Sequence, residues 1–270
     1  MTLSSLFLYM LAGALAGTLA GLMGLGGGLL YVPLLVWNLE QLGVESARVP
    51  FMAVSTSLAV IVLSLPNSLA GHWKNGNILP RLIPPLLLGG VAGAALASLW
   101  LAGVEARPFK LYLGVFQWLV AWRMLATLKE SPPSRPMAGF TSLMMIGFVS
   151  GASSAFFGVG GGVIAVALMH FAARVPLKAS VATSSVYMMG ATTAALGSYL
   201  LQSQTMGGFP PHSWGGVYLP ALIALWPTAF LFNRLGAQLA HRVPVSQLKQ
   251  AIAGLLVVVG AWGIWHGIQV

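Results

Sequence analysis

The chain has 270 residues, of which 57% are hydrophobic and 6% charged, with a formal net charge of +9 and a mean hydropathy of +0.86. A water-soluble domain carries about 25% charged residues, so this composition excludes one; apolar runs on every face also exclude the apolar/polar alternation of a β-barrel. The positive charge sits at the ends of apolar runs, where topology and lipid headgroups account for it without nucleic acid, and the lack of cysteine excludes disulfides, thiolate metal sites and thiol relays.

The first apolar run, 3–37, carries no charge. It has no basic start and continues past any cleavage point, so it reads as mature protein rather than a signal peptide. As one helix it would be about 52 Å long, against a hydrocarbon core of about 30 Å. Inside it lies Gly24-Leu-Gly-Gly-Gly28, and each glycine costs a helix about 1 kcal/mol relative to alanine. Two half-helices meeting at these glycines are expected, as a broken span or as a re-entrant hairpin, the second starting near Leu29.

Three runs of ordinary length follow at 49–70, 82–101 and 109–128, each able to cross a bilayer. The first is preceded by Arg48 and carries Ser55, Thr56 and Ser57 near its start. A polar, proline-rich linker, Lys129-Glu-Ser-Pro-Pro-Ser-Arg-Pro136, then divides the chain into 1–130 and 131–270.

The second part repeats the first. Gly13-xxx-Gly17-xxx-Gly21-xx-Gly24-Leu-Gly-Gly-Gly28 returns 134 residues later as Gly147-xxx-Gly151-xxx-Ala155-xx-Gly158-Val-Gly-Gly-Gly162 (147 − 13 = 134). Arg48-Val-Pro is echoed by Arg174-Val-Pro, the first hydroxyl cluster by Thr183, Ser184 and Ser185, and the stretch around Lys110 by that around Lys249. The runs are again one overlong segment, 140–173, with a half-helix expected from Val163, then 180–201, 217–232 and 251–268. The expected fold is an all-α polytopic membrane protein of about eight membrane segments in two internal repeats, a common way to build a transporter.

Loop charges weigh the two forms of the overlong segments. Single crossings put 8 of the 13 Lys and Arg on one side against 5; hairpins give 10 against 3, with Arg48, Arg107 and Lys110 on the poorer side. Both forms place the termini outside; the hairpin form gives the sharper positive-inside bias and makes the repeats inverted.

Glycines at a break inside a membrane expose backbone N–H groups, and a half-helix N-terminus adds positive partial charge. Gly26, Gly27, Gly28, Gly160, Gly161 and Gly162 are therefore the candidate anion-binding residues. Gly13, Gly17, Gly147 and Gly151, at four-residue spacing, read as helix-packing ridges. The hydroxyls of Ser55, Thr56, Ser57, Thr183, Ser184 and Ser185 have two readings, donation to anionic oxygens or to a carbonyl one turn back. Asn67 and Asn75 are candidate polar liners. Arg48, Arg174 and Lys178 read mainly as membrane-edge anchors, and His72, His170 and His241 as boundary residues. Neither a P-loop nor a dinucleotide fingerprint is present, so nucleotide chemistry is not expected.

There is no aspartate, and the glutamates Glu40, Glu45, Glu105 and Glu130 are expected in connections. An ion-coupled importer commonly keeps a carboxylate inside the membrane, whereas an inside-negative potential expels an anion with about 2.3 kcal/mol per charge per 100 mV. The balance favours export.

The signature Gly-Leu-Gly-Gly-Gly-Leu-Leu-Tyr-Val-Pro-Leu-Leu at 24–35, Ser-Thr-Ser-Leu at 55–58, Gly-Gly-Val-Ala-Gly-Ala at 89–94 and Leu-Lys at 248–249 resemble the TauE/SafE sulfite exporter family over essentially the whole chain. The resemblance implies a permease, not an enzyme, of a bacterial inner membrane. Its partners would be membrane lipids and a small sulfur-containing anion such as sulfite, sulfoacetate or another organosulfonate, with no cofactor or metal. A homodimer is compatible with it. The second copy departs from the signature, with Ala165-Val-Ala167 where the first has Tyr31-Val-Pro33, so the two half-sites are expected to differ. Two other readings compete: a non-transporting membrane scaffold, and an intramembrane hydrolase using Ser153 or Ser154 with His170 as base.

Overall fold

A computed structural model of the chain describes residues 3–23, 27–74, 77–126, 139–239 and 245–269. Gly26, Asn75, Glu130 and His241 lie outside the described residues, as do the side chains of Asn67, His72, Lys178 and Lys249.

The first overlong run splits at its glycines into α1 (Leu3–Met23) and α2 (Gly28–Gln41). Then come α3 (Val49–Lys74), α4 (Ile83–Leu101), entered through a short 3-10 turn, and α5 (Ala106–Ala126). The second overlong run splits in the same way into α6 (Phe140–Phe157) and α7 (Gly162–Phe171). The remaining helices are α8 (Leu177–Ser203), α9 (Leu219–Leu239) and α10 (Val245–Ile268). One small departure from the all-helical expectation precedes α9. There β1 (Ser213–Trp214) pairs with β2 (Val217–Tyr218) across Gly215-Gly216, a two-residue turn that glycine pairs favour. Among the described residues four stretches are long and apolar enough to cross a membrane: Val49–Pro66, Pro80–Leu101, Phe140–Phe157 and Gln250–Ile268. The architecture is that of a helical membrane protein.

Within each split run the chain reverses. The Tyr9 hydroxyl donates to Asn38 Oδ1 at 2.6 Å, and Asn38 Nδ2 donates to Ser5 Oγ at 3.2 Å. Along a single rod Tyr9 and Asn38 would be about 43 Å apart at 1.5 Å per residue. α1 and α2 are therefore an antiparallel hairpin with the glycines at its turn. In the second run, Tyr187 and Tyr199 of α8 donate to the carbonyls of Gly147 and Ala155 at 2.9 and 2.7 Å, so α8 runs alongside α6 in the same direction. α7 returns against α8, because Thr192 Oγ1 reaches the Gly160 carbonyl at 3.4 Å while a short turn joins the other ends. α6 and α7 thus form a second hairpin. Its turn needs glycine: Gly158, Gly160 and Gly161 have φ of +67°, +77° and +72°, a region costly for residues with a β-carbon.

The bundle has two ends. At the first lie the starts of α1, α3 and α5 and the end of α10, joined by Ala106 N–H on the Ser46 carbonyl and by Arg107 on the carbonyls of Gly267 and Ile268. At the second lie the ends of α5 and α7, where the Arg123 guanidinium sits 3.8 Å over the Phe171 ring. The α1–α2 hairpin enters from the first end and the α6–α7 hairpin from the second. α1 packs on α9 and α4 on α6, each pair running parallel, while α5 packs antiparallel on α10. Glycines make these approaches close. A β-carbon at Gly13 or Gly17 would strike α9, and one at Gly147 or Gly151 would strike the α4 carbonyls of Leu86 or Gly90. These four glycines are packing ridges.

One expectation is corrected. Glu40 is not in a connection but in the last turn of α2, where Lys110 Nζ of α5 lies 2.9 Å from its carboxylate. Lys110 is itself buried. Burying an ammonium without a partner is costly, so the ion pair draws Glu40 onto the helix end.

Candidate transport site

The two hairpin turns meet. Gly28, the first residue of α2, rests against Gly158 and Val159 so closely that a β-carbon there would strike the Gly158 carbonyl. That carbonyl also accepts a hydrogen bond from Ser57 Oγ at 2.7 Å, which fastens α3 to the second turn. Around the meeting point Leu29 and Val159 share one apolar cluster with Phe116, Val120, Ala121 and Met124 of α5 and Ile252, Ala253 and Leu256 of α10.

The first turn is backed by a proline device. Pro33 lies inside α2 and has no N–H to give to the Leu29 carbonyl four residues earlier. Gln117 Nε2 of α5, 1% exposed, supplies that bond instead at 2.8 Å. Gly27 precedes the helix, and a β-carbon on it would run into the ring of the buried Tyr31. A small crevice beside Gly27, between α1, α2 and α10, is lined by Ala16, Leu19, Leu30 and Leu255 and offers no polar side chain.

The second turn is polar in its backbone. Gly160, Gly161 and Gly162 are all buried. Among the described residues their N–H groups find no protein acceptor, whereas the Gly158 N–H donates to Ser154 and the Ala165 N–H to Gly161. Buried N–H groups without a partner are rare. Gly161 and Gly162 also open α7, adding the positive end of a ten-residue helix.

The hydroxyl clusters are tied to the protein in this conformation. Ser55 donates to the Phe51 carbonyl at 2.6 Å, and Ser184 and Ser185 both donate to that of Val181, at 2.8 and 3.0 Å. Thr56 Oγ1 accepts the Tyr218 N–H at 2.9 Å at the entrance to α9, and Thr183 Oγ1 accepts the Leu79 N–H at 3.0 Å just ahead of α4. The two threonines thus make reciprocal bonds, each from its own part of the chain to the other. Of the six hydroxyls, Ser57 alone has a recorded bond to a glycine turn.

The serines weighed as nucleophiles are not paired with His170. Ser153 donates to the Val149 carbonyl, His170 Nδ1 lies 2.9 Å from the Val175 carbonyl at the far end of α7, and Ser154 Oγ is buried with no partner among the described residues. Sequence reasoning missed Gln117 and the position of Ser154. The signals were available: Pro33 orphans a carbonyl, and the 134-residue offset sets Ser154 against Ala20.

The sequence profile described as "Sulfite exporter TauE/SafE" matches residues 9–262, both glycine motifs included. The chain belongs to the TauE/SafE family. It is 30% identical to a "Probable membrane transporter protein" of Haemophilus influenzae over 258 residues, 94% of this chain and 96% of that protein. It is 29% identical to a protein of the same description from Xylella fastidiosa, covering 98% and 97% of the two chains. A "Probable inner membrane transporter protein TsaS" of Comamonas testosteroni is 28% identical over 74% of this chain and 79% of its own. No solved structure matches. This TauE/SafE protein is accordingly a multi-pass membrane transporter, and its glycine turns lie within the region that defines the family.

Proposed function

We propose that this transporter is a permease for a small sulfur-containing anion, sulfite or an organosulfonate, exporting it across a bacterial inner membrane. The anion would bind near the bilayer midplane, where the two hairpin turns meet. The observation that carries this reading is the set of N–H groups at the buried Gly160–Gly162, without an acceptor among the described residues, on the N-terminus of α7, which suits an anion and no cation. Gly27 and Gly28 form the opposing wall, and Gly26, outside the described residues, is assigned to the same site by its place in the motif. Ser55, Thr56, Ser57, Thr183, Ser184 and Ser185 flank the path and would reach the anion by exchanging their present bonds.

Residues 1–130 and 131–270 are read as inverted repeats, supported by hairpins entering from opposite ends and by the reciprocal Thr56 and Thr183 bonds. By chain position the second end carries 10 of the 13 Lys and Arg, leaving Arg48, Arg107 and Lys110 at the first. The second end is therefore assigned to the cytoplasm. The acidic residues are Glu40, Glu45, Glu105 and Glu130 alone. Glu40 is tied to Lys110 at the first end, so among the described residues no carboxylate stands at the turns to couple uptake, and the membrane potential supplies a driving force for export.

The test is flux in proteoliposomes loaded with labelled sulfite or sulfoacetate. The reading predicts efflux that saturates with anion concentration and exceeds that of protein-free vesicles. Efflux equal to the protein-free control for both anions would contradict it.

A further inference from the structure

The two copies of the glycine motif differ in what stands one helical turn before the break. With the 134-residue offset, Ser150, Ser153 and Ser154 of α6 correspond to Ala16, Leu19 and Ala20 of α1. Two of these serines have ordinary partners: Ser150 donates to the Ile146 carbonyl at 2.7 Å and Ser153 to that of Val149 at 2.8 Å. Ser154 is fully buried, and its Oγ has no partner among the described residues. Its Cβ faces the second turn, 3.1 Å from where a β-carbon of Gly161 would stand. An unpaired hydroxyl in such a place is a cost that alanine, present as Ala20 in the first copy, avoids. It stands beside Gly161, one of the three glycines, Gly160 to Gly162, whose N–H groups have no protein acceptor among the described residues.

We propose that Ser154 is a substrate-binding residue, its hydroxyl completing with the Gly160–Gly162 N–H groups a one-sided site for the sulfonate or sulfite oxygens. The proposal rests on the reading of the chain as an anion permease. The second turn supplies the donors, and the first, with alanine at the matching position and Gly28 against Gly158, is the wall that closes over them. Three N–H groups and one O–H on neighbouring backbone suit an anion with several acceptor oxygens on one atom. Among the described residues Ser154 Oγ touches no protein acceptor, which leaves the hydroxyl ready for that ligand.

The test compares wild type, Ser154→Ala and Ser153→Ala in proteoliposomes with labelled sulfite, alongside thermal unfolding of each purified protein. Ser154→Ala should raise the half-saturating sulfite concentration about tenfold or more, the loss expected for one hydrogen bond to a charged group. Its unfolding midpoint should be unchanged or higher, since no protein bond is removed. Ser153→Ala should leave half-saturation where it is. Unchanged half-saturation in Ser154→Ala, with wild-type flux intact, overturns the proposal alone. A fall in its unfolding midpoint without a change in half-saturation assigns Ser154 a structural role and overturns it as well. No wild-type flux overturns both this proposal and the permease reading.

Discussion

Pro33 shows how one residue calls for another far away in the chain. It removes the N–H that would close the first turn of α2, and Gln117, 84 residues later (117 − 33), donates to the carbonyl left open. Gln117→Leu should therefore destabilise the protein by about 1–3 kcal/mol, the cost of a buried acceptor without a donor, read as a lower unfolding midpoint in detergent. Pro33→Ala restores an N–H at the right place, so the double variant should recover much of that loss. Equal destabilisation of the single and double variants would contradict the assignment. The hydroxyl clusters teach the complementary lesson at this scale. Their residue types and positions were legible in the sequence, but the partners of Thr56 and Thr183 come from β2 and from the connection ahead of α4, 162 and 104 residues distant. No local pattern announces them.

At the scale of elements, the sequence already showed that 3–37 and 140–173 are too long for one crossing and break at their glycines. The second helix of each run starts one residue before Leu29 or Val163, at Gly28 and Gly162. What it left open was the fold-back, because a kinked rod and a hairpin share the same local chemistry. The choice rests on distant pairs, Tyr9 with Asn38 and Thr192 with Gly160. The same applies to Glu40, which reads as a loop residue until Lys110 is folded against it. If the hairpins enter from opposite faces, their exposed ends must be reachable from opposite sides. The chain has no cysteine, so single-cysteine variants report cleanly. Ala47→Cys, beyond the end of α2, should react with a membrane-impermeant maleimide in intact cells. Ala172→Cys, at the end of α7, should react only after the membrane is opened. Labelling of both from outside would contradict the inverted arrangement.

Across the whole molecule the two parts are interleaved rather than side by side. α1 lies on α9, α4 on α6 and α5 on α10, so the helix pairs that hold the bundle mostly join the first five helices to the last five. Such pairing leaves the two hairpin turns facing each other at the centre, in contact at Gly28 and Gly158 and with the Gly160–Gly162 N–H groups sealed inside. A sealed site admits no anion, so transport requires the turns to separate during each cycle. Leu29 and Val159 flank the contact in one apolar cluster. The most direct measurement is labelled sulfite efflux from proteoliposomes carrying Leu29→Cys/Val159→Cys, before and after bridging with dibromobimane. Its thioethers resist sulfite, and it fluoresces once both cysteines have reacted. Bridging should bring fluorescence and reduce efflux to that of protein-free vesicles, while either single-cysteine variant keeps its flux after the same treatment. A bridged protein that exports sulfite at the unbridged rate, or a pair that never bridges, would contradict the claim that the anion passes where the two turns meet.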